Sequence, residues 1–286
     1  INIEFENKDT IKSNGTTKGE WLTHPAFTFG EEELNGIWVG KFELTGDTTN
    51  PTIKPNITSL TNQNVSTLFA TTQKLSTNSS MLKNIEWGAV TYLTTSIYGQ
   101  GLTEVRINNS STYITGCAAT KENGSEYNGC ENAYNTQVGV LASTTGNISG
   151  IYDMSGCSFE YVMGVMEDSL NSNIPSSGAN SKNNSGFTGK NTYDNSNTLG
   201  IAFPESKYYD IYKYGASHSD FARYHLGDAT TEIKGWNGDI AYFVYPSSPW
   251  FKRGGLYFFG SNAGVFAFVQ NNGQANTFDS ARAVLR

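Results

Sequence analysis

The sequence predicts an α+β fold, and three observations carry that prediction. A strand-like alternation near the start is followed by two segments with apolar residues at helical spacing. The long remainder shows short apolar runs cut by Gly, Asn and Ser, with few further helical patterns. Two helices, short mostly antiparallel strands and long loops are therefore expected.

Taken in order, residues 1–20 are polar and end on Thr17-Lys18-Gly19-Glu20, which reads as an N-terminal connector. The domain proper is expected to begin at Trp21 and run to Arg286. Glu31-Glu32-Glu33 reads as a solvated turn. Residues 36–44 alternate apolar and polar side chains around Trp38, Val39 and Phe42, and should open the sheet. In residues 58–69, Leu60, Val65, Leu68 and Phe69 lie near helical spacing, with Thr or Ser at hand as N-cap. Residues 81–97 give the stronger helix, since Leu82, Ile85, Ala89, Leu93 and Ile97 share one face. The stretches 118–137 and 167–198 are too rich in polar and small residues to form cores and read as surface insertions.

Composition narrows the function. Only 16% of residues are charged, against roughly 25% in an average soluble protein, which suits an exposed, loop-rich, secreted or virion-type chain. A net charge of −7 with only 19 Lys and Arg provides no basic stripe for phosphates, so nucleic acid is not an expected partner. No apolar run reaches the roughly eighteen residues that a membrane-spanning helix needs, so membrane insertion is not expected. The chain opens on Ile1 without Met, as a fragment or processed product would. Three cysteines leave at least one thiol free or paired between chains. Cys117 and Cys130 bracket a polar segment and read equally well as a disulfide-closed loop or as two unlinked residues. None of the three has the close Cys or His neighbour that a structural zinc site requires.

Between Leu256 and Ser280 the chain holds one carboxylate, Asp279, and no His, Cys, Lys or Arg. That content lacks the groups for proton transfer or nucleophilic attack. Its Tyr, Phe, Asn, Ser and Gly are the mixture found in recognition loops, where aromatic rings give area and small polar residues give adaptable hydrogen bonds.

Gly150-Ile-Tyr-Asp-Met-Ser-Gly156, Phe159-Glu160-Tyr161, Arg253-Gly254-Gly255, Ala281-Arg282-Ala283-Val284-Leu285 and Glu86-Trp87 occur in an order that resembles the formylglycine-generating-enzyme branch of the C-type lectin fold. The resemblance spans residues 21–286. Cys157-Ser158, Phe159 and Tyr161 depart from the usual pattern, and no cysteine follows Cys157, whereas the enzyme branch uses a C-terminal cysteine pair for its copper-dependent oxidation. The resemblance thus implies the fold without the reaction.

The segments Leu226–Glu232, Gly235–Asp239, Pro249–Gly255, Ala263–Phe266 and Arg282–Leu285 are similar to the variable proteins of diversity-generating retroelements, the family that includes the phage major tropism determinant. That resemblance implies a receptor-binding adhesin at a virion tail-fibre tip or a cell surface, with a hypervariable C-terminal region over residues 235–286. The partner would be a protein or glycan receptor of a bacterial host, trimeric display is the assembly it suggests, and no catalysis is implied. No cofactor is required, although the fold accommodates structural calcium, for which Asp228, Glu232 and Asp239 are the acidic candidates.

On this resemblance the ligand-facing residues would be Tyr257, Phe258, Phe259, Ser261, Asn262, Ala267, Val269, Asn271, Asn272, Asn276, Thr277 and Phe278, with Asn237, Tyr242 and Tyr245 on the preceding loop. Gly254, Gly255, Gly260, Gly264 and Gly273 would mark turns, and Trp236, Trp250, Phe251, Val265, Phe266, Val284 and Leu285 would be core. Three successive aromatics at 257–259 read equally well as a buried strand, since they cannot all face one way. Arg253 and Arg282 read as structural, bonded to loop carbonyls or to a carboxylate such as Asp153 or Glu160. The histidines His24, His218 and His225 have no catalytic or ligating neighbours in sequence. Two other functions compete: an assembly component of a tail or surface structure, and an enzyme of the formylglycine-generating type.

Overall fold

The computed structural model describes residues 23–166, 185–187, 189–190, 197–198, 201–212, 226–233, 235–245 and 248–286. The connector 1–20, Trp21, His218, His225 and most of the 167–198 insertion lie outside the described residues. The principal elements, in chain order, are β1 (Trp38–Val39), α1 (Val65–Thr72), β2 (Ser79–Met81), α2 (Asn84–Thr94), β3 (Phe159–Met166), β4 (Asp210–Tyr212), β5 (Trp250–Gly254), β6 (Gly264–Asn271), β7 (Asp279–Ala281) and β8 (Ala283–Leu285). The architecture is α+β, with two α-helices among the described residues and short strands that pair mostly antiparallel.

Strand β3 is the axis of the molecule. One edge pairs antiparallel with β5, which in turn pairs antiparallel with β6. The other edge is shared by two short parallel partners, β7 along Phe159–Tyr161 and β4 along Gly164–Met166. All eight residues of β3 are buried, because both faces of the sheet are covered. Val162 and Met166 join a core with Trp87 and Val90 of α2 and with Val265, Phe266 and Phe268. Tyr161, Met163 and Val165 face the other way, against Val65, Leu68 and Phe69 of α1 and Trp250. Each such large apolar side chain contributes roughly 1.5–3 kcal/mol by leaving water.

The helices are shorter than their sequence patterns. Residues 58–60 pair instead with other segments, Ser59 N–H donating to Tyr113 O and Leu60 N–H to Leu44 O. Asn62 takes φ +60°, and the cap of α1 is Asn64, whose Oδ1 accepts from Thr67 N–H at 2.9 Å. Helix α2 stops at Thr94 because hydroxyls of Thr94, Thr95 and Ser96 fold back onto carbonyls of its last turn, which leaves Ile97 91% exposed. The expected strand at 36–44 contracts to β1. Phe42, Glu43 and Leu44 are buried, yet they lie outside any strand because Lys41 O bonds Tyr152 N–H while Gly40 and Leu44 N–H reach Ala283 and Ala281 carbonyls. A disulfide joins Cys117 to Cys130 beside the short hairpin Cys117–Ala118 with Asn132–Ala133, and Cys157 is free and buried. No helix of the described residues is long and apolar enough to cross a membrane.

Candidate functional site

The C-terminal candidates are held by two buried arginines. Arg253, at the end of β5, is fully buried and donates from Nη1 to Asn84 Oδ1 at 3.0 Å and Asp228 O at 3.1 Å, and from Nη2 to Ala229 O at 3.0 Å. Burial lowers its pKa to about 10, which still leaves it charged at neutral pH. Arg282, between β7 and β8, donates to both oxygens of Glu160 and to the carbonyls of Gly40 and Tyr152. Both arginines therefore bind loop carbonyls, and Arg282 also pairs with a carboxylate. Asp153 Oδ1 accepts from Gly116 N–H and Asn108 Nδ2 at 2.8 Å each, so Asp153 and Glu160 bind frame residues.

Between β5 and β6 the chain must turn sharply. Gly254 and Gly255 take φ of +87° and +82°, and a Cβ on Gly255 would lie 2.6 Å from Ala263 Cα, so only glycine fits. The loop that follows, residues 256–263, is tied down by Tyr257 N–H to Cys157 O at 3.0 Å and by internal Phe259 N–H to Leu256 O and Asn262 N–H to Phe259 O bonds. Leu256 packs with Phe159 and Val269 in a small core against which Phe259 and Ile240 rest.

From that base a series of edge-to-face ring contacts runs through the loop to Tyr113. Phe159 meets Phe259 at 5.3 Å, Phe259 meets Phe258 at 5.2 Å, Phe258 meets Tyr257 at 4.9 Å, and Tyr257 meets Tyr113 at 5.4 Å. Phe258 is 47% exposed, Tyr257 and Phe259 are half-buried, and Ser261 and Asn262 are exposed. Three successive aromatics thus divide between inside and outside, in a loop rather than a strand. Phe278, 40% exposed, reaches the same end of the sheet, since its carbonyl accepts from Phe159 N–H. The turn Trp236–Gly238 joins them from the other side, with Ile240 N–H donating to Asn262 O.

Other candidates separate from this surface. Ala267 and Val269 are buried in β6, whose two faces are both covered, so neither can face a ligand. Asn271, Asn272 and Asn276 are half-buried and their side-chain oxygens are engaged: Asn271 Oδ1 accepts from Tyr161 OH and Gly273 N–H, Asn272 Oδ1 from Gln274 N–H, and Asn276 Oδ1 from Phe278 N–H. Their polarity serves turns. Thr277, Asn237, Tyr242 and Tyr245 are exposed, Tyr242 beside β6 through its N–H to Phe268 O. Trp236, expected in the core, is 42% exposed, with Phe266 covering one side of its indole at 4.8 Å. Trp250, Phe251, Val265, Phe266 and Val284 are buried, and Leu285 is half-buried at the end of β8. Gly264 is the first residue of β6 rather than a turn residue, and it is glycine because a Cβ there would strike the Asp239 carboxylate at 2.2 Å.

Sequence reasoning missed Tyr113. It sits at φ +56° in the loop before Cys117, and only the folded chain brings its ring to Tyr257. Three titratable groups of the frame are neutral or engaged. His24 Nδ1 accepts from Ala26 N–H, Nε2 lies 3.1 Å from Gly227 O, and burial holds its pKa down to about 4. Burial, reinforced by Glu43 and Asp153, pushes the Cys157 thiol up, away from the reactive thiolate. Lys252 pairs with Asp279 at 2.9 Å and lies over the Phe159 ring at 4.4 Å.

The acids considered for calcium do not form a cage. Asp228 accepts from Thr230 and Tyr212, and Glu232 Oε1 accepts from Gly227 N–H, Ala229 N–H and Tyr92 OH. No three His, Cys, Asp or Glu residues converge as a metal site among the described residues. A concavity near the end of α2 is lined by Ile37, Val39, Val90, Leu93, Tyr98 and Ile151 together with hydroxyl residues such as Thr145 and Ser149, with no carboxylate, imidazole, thiol or amine on its walls. No protein-family model and no curated protein matches this sequence.

Proposed function

We propose that this chain is a receptor-binding adhesin with a C-type lectin fold of the formylglycine-generating-enzyme branch, and that it is a variable protein of a diversity-generating retroelement carried by a phage or prophage. Its ligand would be a surface molecule of a bacterial host, met at a tail tip or cell surface. The observation that carries this reading is the ring series Tyr113–Tyr257–Phe258–Phe259, which exposes Phe258 from its middle on a loop that starts at two glycines following a buried arginine. Rigid aromatics with adjacent Ser261 and Asn262 supply contact area and hydrogen bonds without ordering cost, as binding loops require. Residues that can change without disturbing the frame are Tyr257, Phe258, Ser261 and Asn262, whereas Asn237 holds φ +59°, a left-handed conformation that Asn tolerates better than most side chains. Display in trimers would raise weak single-site binding through avidity.

The test is to sequence the 3′ end of the gene and its flank in several isolates. Codon differences directed to adenines are expected at Tyr257, Phe258, Ser261 and Asn262 and absent at Ala267 and Val269. A segment that is invariant, with no near-copy beside a reverse transcriptase gene, overturns the diversification. A second reading, an assembly component, is favoured by apolar exposure elsewhere, Trp38 at 79% and Ile97 at 91%. It predicts that Trp38→Ala, and not Phe258→Ala, abolishes the native assembly on size-exclusion chromatography with light scattering.

A further inference from the structure

Three stretches of the chain, residues 35–40, 93–103 and 143–151, hold no Asp, Glu, Lys, Arg or His, although 16% of all residues are charged. The fold brings them together at the end of α2. Ile37 and Val39 from the first, Leu93 and Tyr98 from the second and Ile151 from the third line one concavity of about 400 Å³. Gln100 fastens the second stretch to the third, its Nε2 donating to Leu141 O at 2.9 Å and to Ser143 O at 2.8 Å. Its own N–H closes the turn after α2 onto Thr94 O at 2.7 Å.

Large apolar side chains stand in solvent on these same stretches. Ile97 is 91% exposed, Leu102 92%, Trp38 79%, Tyr98 60% and Ile148 47%. Trp38 lies between two residues of the concavity's wall, and Leu102 lines a neighbouring crevice with Thr94, which borders the concavity too. At roughly 150–250 Å² for a fully exposed side chain of this size, the five present on the order of 700 Å². The largest apolar patch of a typical monomer is about 300–600 Å². A stable pair of proteins covers about 800 Å² on each partner.

We propose that this face pairs with the same face of a second copy of the chain about a two-fold axis. The absence of charge selects that partner. Near a two-fold axis each side chain meets its own copy, so any ionised group there would face a like charge, and a face that pairs with itself has to be neutral. A foreign protein approaching a chain of net charge −7 would be steered by its cations, and these three stretches offer no carboxylate to receive them. Thr145 and Ser149 add hydroxyls to the apolar wall, as the polar part of such a contact. None of the residues involved belongs to the 256–263 loop, so the pairing holds whether the chain binds a receptor or serves an assembly.

The experiment is size-exclusion chromatography with light scattering on the full chain, from about 1 µM to about 100 µM. The mass should rise to that of two chains. Ile97→Glu and Leu102→Glu each set a carboxylate against its own copy and should weaken the pairing about tenfold or more, whereas Gln73→Glu, which adds the same charge after α1, should change it less than about twofold. Because Ile97 and Leu102 are almost fully exposed, both variants should keep the urea midpoint of the parent. Sodium chloride screens the repulsion between two chains of net charge −7, so the pair should hold or tighten as salt rises. A one-chain mass at every concentration overturns the proposal, and so does a three-chain mass, which a self-facing patch cannot give. A pair that survives both Glu variants forms elsewhere, and a pair that salt dissolves is held by charge; either result overturns it. A one-chain mass with a lowered urea midpoint in Ile97→Glu overturns it by showing the face covered by the chain's own residues. None of these outcomes touches the receptor-binding reading, which the codon comparison tests separately.

Discussion

Glu43 shows how a single buried residue can make stability depend on pH. It is fully buried, its carboxylate oxygens accept from Ser158 N–H and Ser158 Oγ, and its one nearby guanidinium, Arg282, is already bound to Glu160. Burial, then the charges of Glu160 and Asp153, push the Glu43 carboxyl well above the usual carboxylate range. The folded state thus holds a proton that the unfolded chain gives up more readily. Stability from this group is complete below the unfolded carboxylate pKa and is lost as pH rises towards the folded one. Glu43→Gln mimics the protonated carboxyl. It should raise the thermal midpoint relative to the parent at pH 8 and leave it nearly equal at pH 4, as read by scanning calorimetry; a constant gap across that range would contradict the assignment.

The loop between β5 and β6 separates two roles within three residues. Phe259 rests on Phe159, Leu256 and Val269, whereas Phe258 presents nearly half its surface to solvent. Phe259→Ala should therefore cost about 1–3 kcal/mol in urea unfolding, while Phe258→Ala should stay within about 0.5 kcal/mol of the parent. Should Phe258→Ala destabilise as much as Phe259→Ala, the loop is core and not a display surface. The alternation expected of three aromatics was visible in the sequence. Which of them points inward depends on Tyr257 N–H bonding Cys157 O, a contact across a hundred residues that no local pattern encodes.

At the scale of the whole molecule, the Cys117–Cys130 bond closes a polar excursion beside the short hairpin Cys117–Ala118 with Asn132–Ala133. Cys117 is buried and lies one residue after Gly116, whose N–H donates to Asp153, while the Cys130 end belongs to a polar excursion. Replacing both cysteines by Ser should lower unfolding free energy by about 3 kcal/mol, the scale for a loop of this size. Measured by urea midpoint, the loss should be reproduced by reductant on the parent and be absent when reductant is added to the double variant. The Arg282–Glu160 frame is independent of that bond, so the fold should persist, less stable, without it.

The α+β class and the two helices were legible in apolar spacing, because periodic burial leaves a local trace. The structural reading of Arg253, Arg282, Asp153 and Glu160 came from the motif resemblance alone, since Arg282 and Glu160 lie 122 residues apart and leave no local trace. Helix ends were not legible, since Asn62, Asn64 and the Thr94–Ser96 hydroxyls set them through backbone bonds that compete with apolar spacing. Nor was the burial of Ala267 and Val269 or the exposure of Trp236. Burial there follows from which segments cover β6, and that is decided when α2, the Trp236 turn and the 256–263 loop close on it. The sequence by itself determined the chemistry available at the C-terminal end, aromatics and amides over a rigid frame. Only the tertiary structure decided which of those groups reach solvent, because that depends on contacts between residues far apart in the chain.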